Sequence, residues 1–254
     1  MIGIIIQARM GAKRLPGKVM KEILGRPLLF YSLERLKRIA AVDKIVVATT
    51  TEPADQAIYD YARELGVESF RGSEDDVLDR YYQAARAHGL GVVIRLTADC
   101  PLIDPDISSE IIRFYLDNRK LDAVRTGPSY PEGFDTEIFN FKSLDKAWRK
   151  AELKSEREHV TPYIWKNEGQ FNLKVLEFDR DLSQLRLTVD EASDWTVVSN
   201  VFENLYHENP DFRLKDILKL YDEKPELFSA NQNIKRNEGY AKSLAEDKIM
   251  EARL

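Results

Sequence analysis

The run Ile2-Gly3-Ile4-Ile5-Ile6-Gln7-Ala8-Arg9-Met10-Gly11-Ala12-Lys13-Arg14-Leu15-Pro16-Gly17-Lys18 decides the fold. Its first part is a short β-branched stretch, as expected of a strand buried on both faces of a parallel sheet. Its second part is a turn with two glycines and four basic side chains, Arg9, Lys13, Arg14 and Lys18. A loop at the carboxyl end of a parallel strand is where open α/β sheets bind ligands. Glycine lets the backbone come close to an anion, and Arg forks and Lys point charges neutralise phosphate oxygens. The turn therefore predicts a polyphosphate site. It is not a Walker A loop, because five residues separate Gly11 from Gly17 and Val19 stands where the magnesium-binding hydroxyl would be.

Outward from this stretch, strands are predicted at Ile2–Ile6, Lys44–Thr49, Val67–Phe70 and Val92–Leu96. Helices are predicted at Leu28–Ile39, Ala54–Leu65, Val77–Ala87 and Ile107–Asn118, with Asp76 and Asp106 as N-caps. Such alternation builds a parallel sheet covered on both faces. Beyond residue 120 further strands are expected at Asp122–Arg125, Glu137–Phe141, Leu173–Phe178 and Leu185–Thr188, some of them antiparallel. Glu156–Lys166, Asp194–Tyr206 and Leu214–Tyr221 read as helices. The tail from Asn237 to Leu254 reads as a charged amphipathic helix that either packs on its own subunit or takes part in a subunit interface.

The 254 residues suffice for one large domain, and 43% apolar with 32% charged residues excludes disordered and low-complexity classes. A single cysteine, Cys100, excludes an intramolecular disulfide and a paired-thiolate zinc site. Apolar runs are too short to span a bilayer, so a soluble cytoplasmic protein is expected. Net charge is −5, which disfavours nucleic acid as a partner. Residues 1–26 nevertheless carry six basic side chains against Glu22 alone, a basic opening on an acidic body. That suggests a local anion site and no general basic surface.

Two more segments carry chemistry. In Arg95-Leu96-Thr97-Ala98-Asp99-Cys100-Pro101-Leu102 a buried strand runs out into a carboxylate. Asp99 there suits a metal ion, a turn cap or an Arg partner, and its place on the same sheet edge as the basic turn favours the metal. In Leu185-Arg186-Leu187-Thr188-Val189-Asp190-Glu191-Ala192-Ser193-Asp194 a short apolar strand again ends in a carboxylate. Asp190 and Asp194 both suit an N-cap.

Taken together, Arg9-x-Gly11-x-Lys13-Arg14-Leu15-Pro16-Gly17-Lys18, Thr97-Ala98-Asp99-Cys100-Pro101-Leu102 and Leu187-Thr188-Val189-Asp190 resemble the cytidylyltransferases of bacterial surface-sugar synthesis. The branch they resemble is the SpsF-like one of spore-coat polysaccharide synthesis. It is related to the synthetases of CMP-activated 3-deoxy-octulosonate and sialic acid. The stretches 71–81, 133–137 and 156–163 are similar to that branch as well.

The resemblance implies a nucleotide-diphospho-sugar transferase fold of the GT-A, Rossmann-like kind, a three-layer α/β/α sandwich with a mostly parallel sheet. Residues 1–222 would form the nucleotidyltransferase domain and 223–254 a C-terminal helical extension. It implies that Arg9, Gly11, Lys13, Arg14 and Lys18 hold the triphosphate, with Lys18 nearest the α-phosphate and Arg14 and Lys18 taking part in catalysis. Asp99 and Asp190 would jointly bind Mg²⁺. Ser73 and Arg80 would contact base and ribose, and Asp135, Glu137, Arg157 and His159 would face the acceptor. The implied reaction is Mg²⁺-dependent transfer of CMP from CTP to a sugar phosphate or sugar acid, with release of pyrophosphate. Analogy with the related synthetases adds a homodimer. The competing readings are a guanylyl- or other nucleotidyltransferase on the same scaffold, a GT-A glycosyltransferase, and a nucleotide-binding module without turnover.

Overall fold

The computed structural model describes residues 1–251, and at its centre runs β1 (Ile2–Gln7), whose Ile4, Ile5 and Ile6 are all buried. After a short ribbon, β2 (Glu22–Ile23) and β3 (Arg26–Pro27), helix and strand alternate. They are α1 (Leu28–Leu36), β4 (Lys44–Thr50), α2 (Gln56–Glu64), β5 (Glu68–Gly72), α3 (Val77–Ala87), β6 (Val92–Thr97) and α4 (Pro105–Asp117). The less regular second half holds β7 (Ala123–Thr126), β8 (Glu137–Asn140), α5 (Phe141–Lys150), α6 (Lys154–His159), α7 (Pro162–Lys166) and β9 (Leu173–Leu176). Three helices close the chain, α8 (Ala192–Leu205), α9 (Leu214–Glu223) and α10 (Glu238–Glu251).

Seven strands form one sheet in the order β5-β4-β1-β6-β8-β7-β9. All its pairings are parallel except those of β8, which runs against both neighbours. Alternation along β1 divides the core. Ile4 and Ile6 pack with α1, α2 and α4 on one face, and Ile5 packs with α3, α5 and α7 on the other. Three layers result, a mostly parallel sheet between two helical coats. From β1 the chain steps outward to β4 and β5, then returns to β6 on the other side of β1. The loops after β1 and β6 therefore diverge at a topological switch point, where open α/β sheets bind ligands.

Three local expectations are corrected. Leu185–Thr188 joins no sheet; β9 closes that edge, and the segment makes one isolated β-bridge, Arg186 with Glu132. Its alternation is still genuine burial, because Leu185, Leu187 and Val189 pack in the core with α8 and α9. The helix expected over Glu156–Lys166 is broken into α6 and α7 at Val160, whose φ is +72°. Pro162 supplies no N–H to continue the ladder and stands at the start of α7, where none is needed, so it opens a new helix. At α4 the cap is Asp104 and not Asp106: its Oδ1 accepts the Asp106 N–H at 2.9 Å, with Pro105 at the first helical position. Asp76 does cap α3, accepting the Asp79 N–H. Residues 252–254 of the expected C-terminal helix lie outside the described residues, within which no helix is long and apolar enough to cross a membrane.

Candidate active site

The basic turn is shaped by its second glycine. Gly17 has φ +71°, a left-handed conformation that costs glycine little, and it opens the single turn Lys18–Met20. That turn sends Lys18 inward, where its side chain is only 8% exposed. An ammonium this buried needs partners. It has three: Asp99 Oδ2 at 2.7 Å, Asp190 Oδ1 at 2.8 Å and the Val189 carbonyl at 2.6 Å. Asp99 and Asp190, 91 positions apart, thus meet on one nitrogen, and these two oxygens lie no further apart than the sum of the two bonds. The backbones are tied as well, with Val189 N–H donating to the Asp99 carbonyl at 2.8 Å.

The charges support one another. Burial alone would lower the Lys18 ammonium, but Asp99 and Asp190 together raise it above its ordinary value. Burial alone would raise the Asp99 carboxyl, and the Lys18 charge and hydrogen bond hold it below the usual range. Cys100 is different: burial first, then the Asp99 charge, push its thiol well above its ordinary value. That thiol is unsuited to act as a nucleophile.

Arg14 stands beside this junction. It reaches Asp190 Oδ2 at 3.0 Å, Glu191 at 3.3 Å and Glu238 of α10 at 3.1 Å. Arg9 faces Glu74 at 3.6 Å, and a Cβ on Gly11 would come within 3.1 Å of the same Glu74 carboxylate. Three of the turn's four cations, Arg9, Arg14 and Lys18, therefore meet acidic partners, and the cation shared by Asp99 and Asp190 is Lys18 itself.

The other expected site residues are distributed as follows. Ser73 Oγ accepts the Asp76 N–H at 3.0 Å, and Arg80, 1% exposed, donates to the Ser73 carbonyl from behind. Arg80 therefore holds the 71–76 segment from beneath and presents no surface of its own. Glu137 is buried and accepts from Arg95, Thr161 and Trp165. Arg157 is spent on Asp76 and the Trp148 carbonyl, which locks α6 to the start of α3. Asp135 and His159 are the two whose partners come from the C-terminal segment: Arg236 bonds Asp135 at 3.1 Å and Ser243 bonds His159 at 3.1 Å.

Sequence reasoning passed over Arg186. Its guanidinium, 6% exposed, bonds Asp194 through two nitrogens (2.8 and 3.0 Å), Glu132 at 2.6 Å and Asp190 Oδ2 at 3.2 Å. Asp194 in turn accepts the N–H groups of Asp190 and Glu191, so it orders the entry to α8 from the third helical position instead of capping it. The available signal was a lone Arg in an apolar run four residues before an Asp. Opposite it, Glu132 N–H donates to the Leu185 carbonyl and Leu187 N–H to the Glu132 carbonyl. Between them Gly133 has φ +102°, and an added Cβ would lie 2.7 Å from the Leu187 carbonyl carbon. Gly133→Ala is expected to cost about 1–3 kcal/mol in strain and to displace the 187–190 segment. Chemical denaturation should read the stability loss, and a variant as stable as the parent would contradict the close approach.

A mostly parallel sheet whose switch point joins a basic glycine turn to two carboxylates defines an α/β nucleotidyltransferase. The chain matches the profile of the family described as "Cytidylyltransferase" over residues 3–234 and belongs to that family. It is 38% identical to an uncharacterised protein of Methanocaldococcus jannaschii, over 91% of this chain and 95% of that one. It is 31% identical to the spore coat polysaccharide biosynthesis protein SpsF of Bacillus subtilis, over 87% and 94%. The solved structure of a cytidylyltransferase from Leptospira borgpetersenii superposes with a TM-score of 0.86 at 33% identity, covering 92% of this chain and 98% of that one.

Proposed function

We propose that the protein transfers CMP from CTP to a sugar acid or sugar phosphate in a Mg²⁺-dependent reaction that serves glycan synthesis. The observation that carries this reading is the meeting of Lys18 with Asp99 and Asp190 beside Arg14 at the switch point. The family supports the nucleotide, and the Bacillus relative's part in spore coat polysaccharide synthesis supports the acceptor class.

An acceptor oxygen attacks the α-phosphorus of CTP. The bond from that phosphorus to the α–β bridging oxygen breaks, and its electron pair leaves with pyrophosphate. Such displacements need alignment and charge neutralisation more than covalent help from the protein. Lys18 and Arg14 offset the charge that grows on the bridging oxygen and on pyrophosphate. A sugar phosphate attacks as an anion and needs no base, whereas the hydroxyl of a sugar acid must give up its proton.

The donor set fits magnesium. That ion takes one or two carboxylates together with substrate phosphates, and Asp99 and Asp190 already converge on a single cation. Among the described residues no group of three or more His, Cys, Asp or Glu could hold a metal unaided. This suits an ion whose coordination is completed by substrate. Bound there, magnesium would supply Lewis-acid polarisation of phosphate oxygens, and the Lys18 ammonium would turn from the carboxylates to phosphate.

The test is a melting-temperature screen of CTP, GTP, UTP and dTTP with Mg²⁺, followed by pyrophosphate release. At a hundred times its Kd, CTP should raise the melting temperature by roughly 5 °C or more. Pyrophosphate should appear when CTP and an acceptor are both present. Stabilisation by another nucleotide would reassign the base, and stabilisation by none would refute the reading.

A further inference from the structure

The polyphosphate side of the site carries too much negative charge for its task. Around Arg14 and Lys18 stand Asp99, Asp190, Glu191 and Glu238. Asp99 and Asp190 are fixed by Lys18, and Glu191 opens α8. Glu238 alone of the four comes from the C-terminal segment, 224 positions from Arg14. Its side chain is 56% exposed.

That segment is a strap drawn across the site and fastened on both sides of Glu238. Before it, Asn231 bonds Asp194, and Arg236 bonds the carbonyls of Pro128 and Tyr130 as well as Asp135. Asn237 then turns the chain with φ +57° while its N–H donates to Glu132. After it, Ser243 joins His159 to Glu158, and Asp247 accepts the Ser155 N–H at 3.1 Å. With these anchors in place, the Glu238 carboxylate can leave Arg14 without releasing the strap.

We propose that Glu238 is a built-in competitor for the polyphosphate: its carboxylate holds the Arg14 guanidinium in the free protein, yields it to the β- and γ-phosphates, and reclaims it as pyrophosphate departs. The assignment of polyphosphate to Arg14 rests on the reading above; the competition by the strap is additional to it. Glu238 touches no reacting atom. It sets how tightly the site grips triphosphate and product, so that the grip on pyrophosphate does not limit turnover.

The experiment titrates inorganic pyrophosphate, and separately CTP, into the full chain and into Glu238→Gln by calorimetry at low salt. Both ligands should bind the variant roughly two- to fivefold tighter, the span an exposed ion pair of this kind is worth. The gain should fade at high ionic strength. Glu238→Lys should move both affinities further in the same direction. The melting temperature without ligand should fall in Glu238→Gln by no more than about 1–4 °C, the worth of that one ion pair, because the anchors are elsewhere; a purely structural role would lower it as well but leave pyrophosphate affinity unmoved. Unchanged pyrophosphate affinity, or no pyrophosphate binding to either protein, overturns the proposal. Pyrophosphate binding that tightens in the variant while CTP fails to bind upholds the strap and sinks the cytidylyl reading.

Discussion

Asp99→Asn is expected to lower the rate of pyrophosphate release by about a thousandfold or more, roughly 4 kcal/mol of barrier, while the protein stays folded. The substitution keeps size and shape and removes one charge. Lys18 retains Asp190 at 2.8 Å and the Val189 carbonyl at 2.6 Å, so its ammonium is still paired. The tie between the two loops runs through the Asp99 backbone carbonyl, which receives Val189 N–H and the Thr188 hydroxyl and is untouched by the change. The stability loss should therefore stay near that of one charged hydrogen bond, about 1.5–3 kcal/mol. Two measurements separate the roles open to Asp99. If it only steadies Lys18, turnover should fall less than tenfold and the dependence of melting temperature on Mg²⁺ should be unchanged. If it holds substrate-bound magnesium, turnover collapses and the extra stabilisation that Mg²⁺ gives in the presence of CTP disappears. A fully active variant would remove Asp99 from the reaction.

The legible part of this protein was its first half, for a physical reason. Strands such as Ile4-Ile5-Ile6 and Val92-Val93-Ile94 are buried on both faces, so they must be apolar almost without interruption, and that pattern survives in one dimension. The basic turn was legible because it had to follow such a strand. Asp99 was legible as a strand-end carboxylate, whereas the meeting of Asp99 with Asp190 was implied only by the family resemblance, as joint ligands of Mg²⁺, and not by the spacing. Each lies far from Lys18 in sequence, and spacing contains no information about which cation they share. The run Leu185–Val189 misled because period-two burial does not require a paired strand, and Leu185, Leu187 and Val189 are buried against helices instead. Arg186 was hidden in that same run: in a half-exposed strand its position would face water, whereas here it faces three carboxylates. The C-terminal helix was legible but its course was not, since a charged helix reads the same whether it lies on an empty surface or across Arg14 and His159.

Arg186 is where the largest loss of stability is expected. Burial works against its charge, yet the hydrogen bonds it donates to Asp194 and the charges of Glu132 and Asp194 raise the guanidinium above its ordinary value. Arg186→Leu would fill much of the same space with apolar atoms but leave Asp194, which is fully buried, without its counter-ion. Removing one partner of a buried pair typically costs about 3–5 kcal/mol, which in a chain of this size lowers the melting temperature by roughly 6–20 °C. The pH dependence identifies the cause. Burial alone would raise the Asp194 carboxyl; hydrogen bonds from Arg186, Asn231 and the Asp190 N–H outweigh it and hold it below its ordinary value. In the parent this stabilisation is complete above about pH 5 and drains as pH falls through the lowered folded value. In Arg186→Leu the same carboxyl, buried without its cation, favours its proton, so acid relieves the variant while it weakens the parent. The gap between the two melting curves should thus be widest near pH 7 and narrow towards pH 4. A gap that stays constant with pH would trace the loss to packing. Activity supplies the second readout: Asp190 loses an anchor at 3.2 Å, so Arg186→Lys, which restores the charge without the fork, should recover much of the stability and less of the turnover.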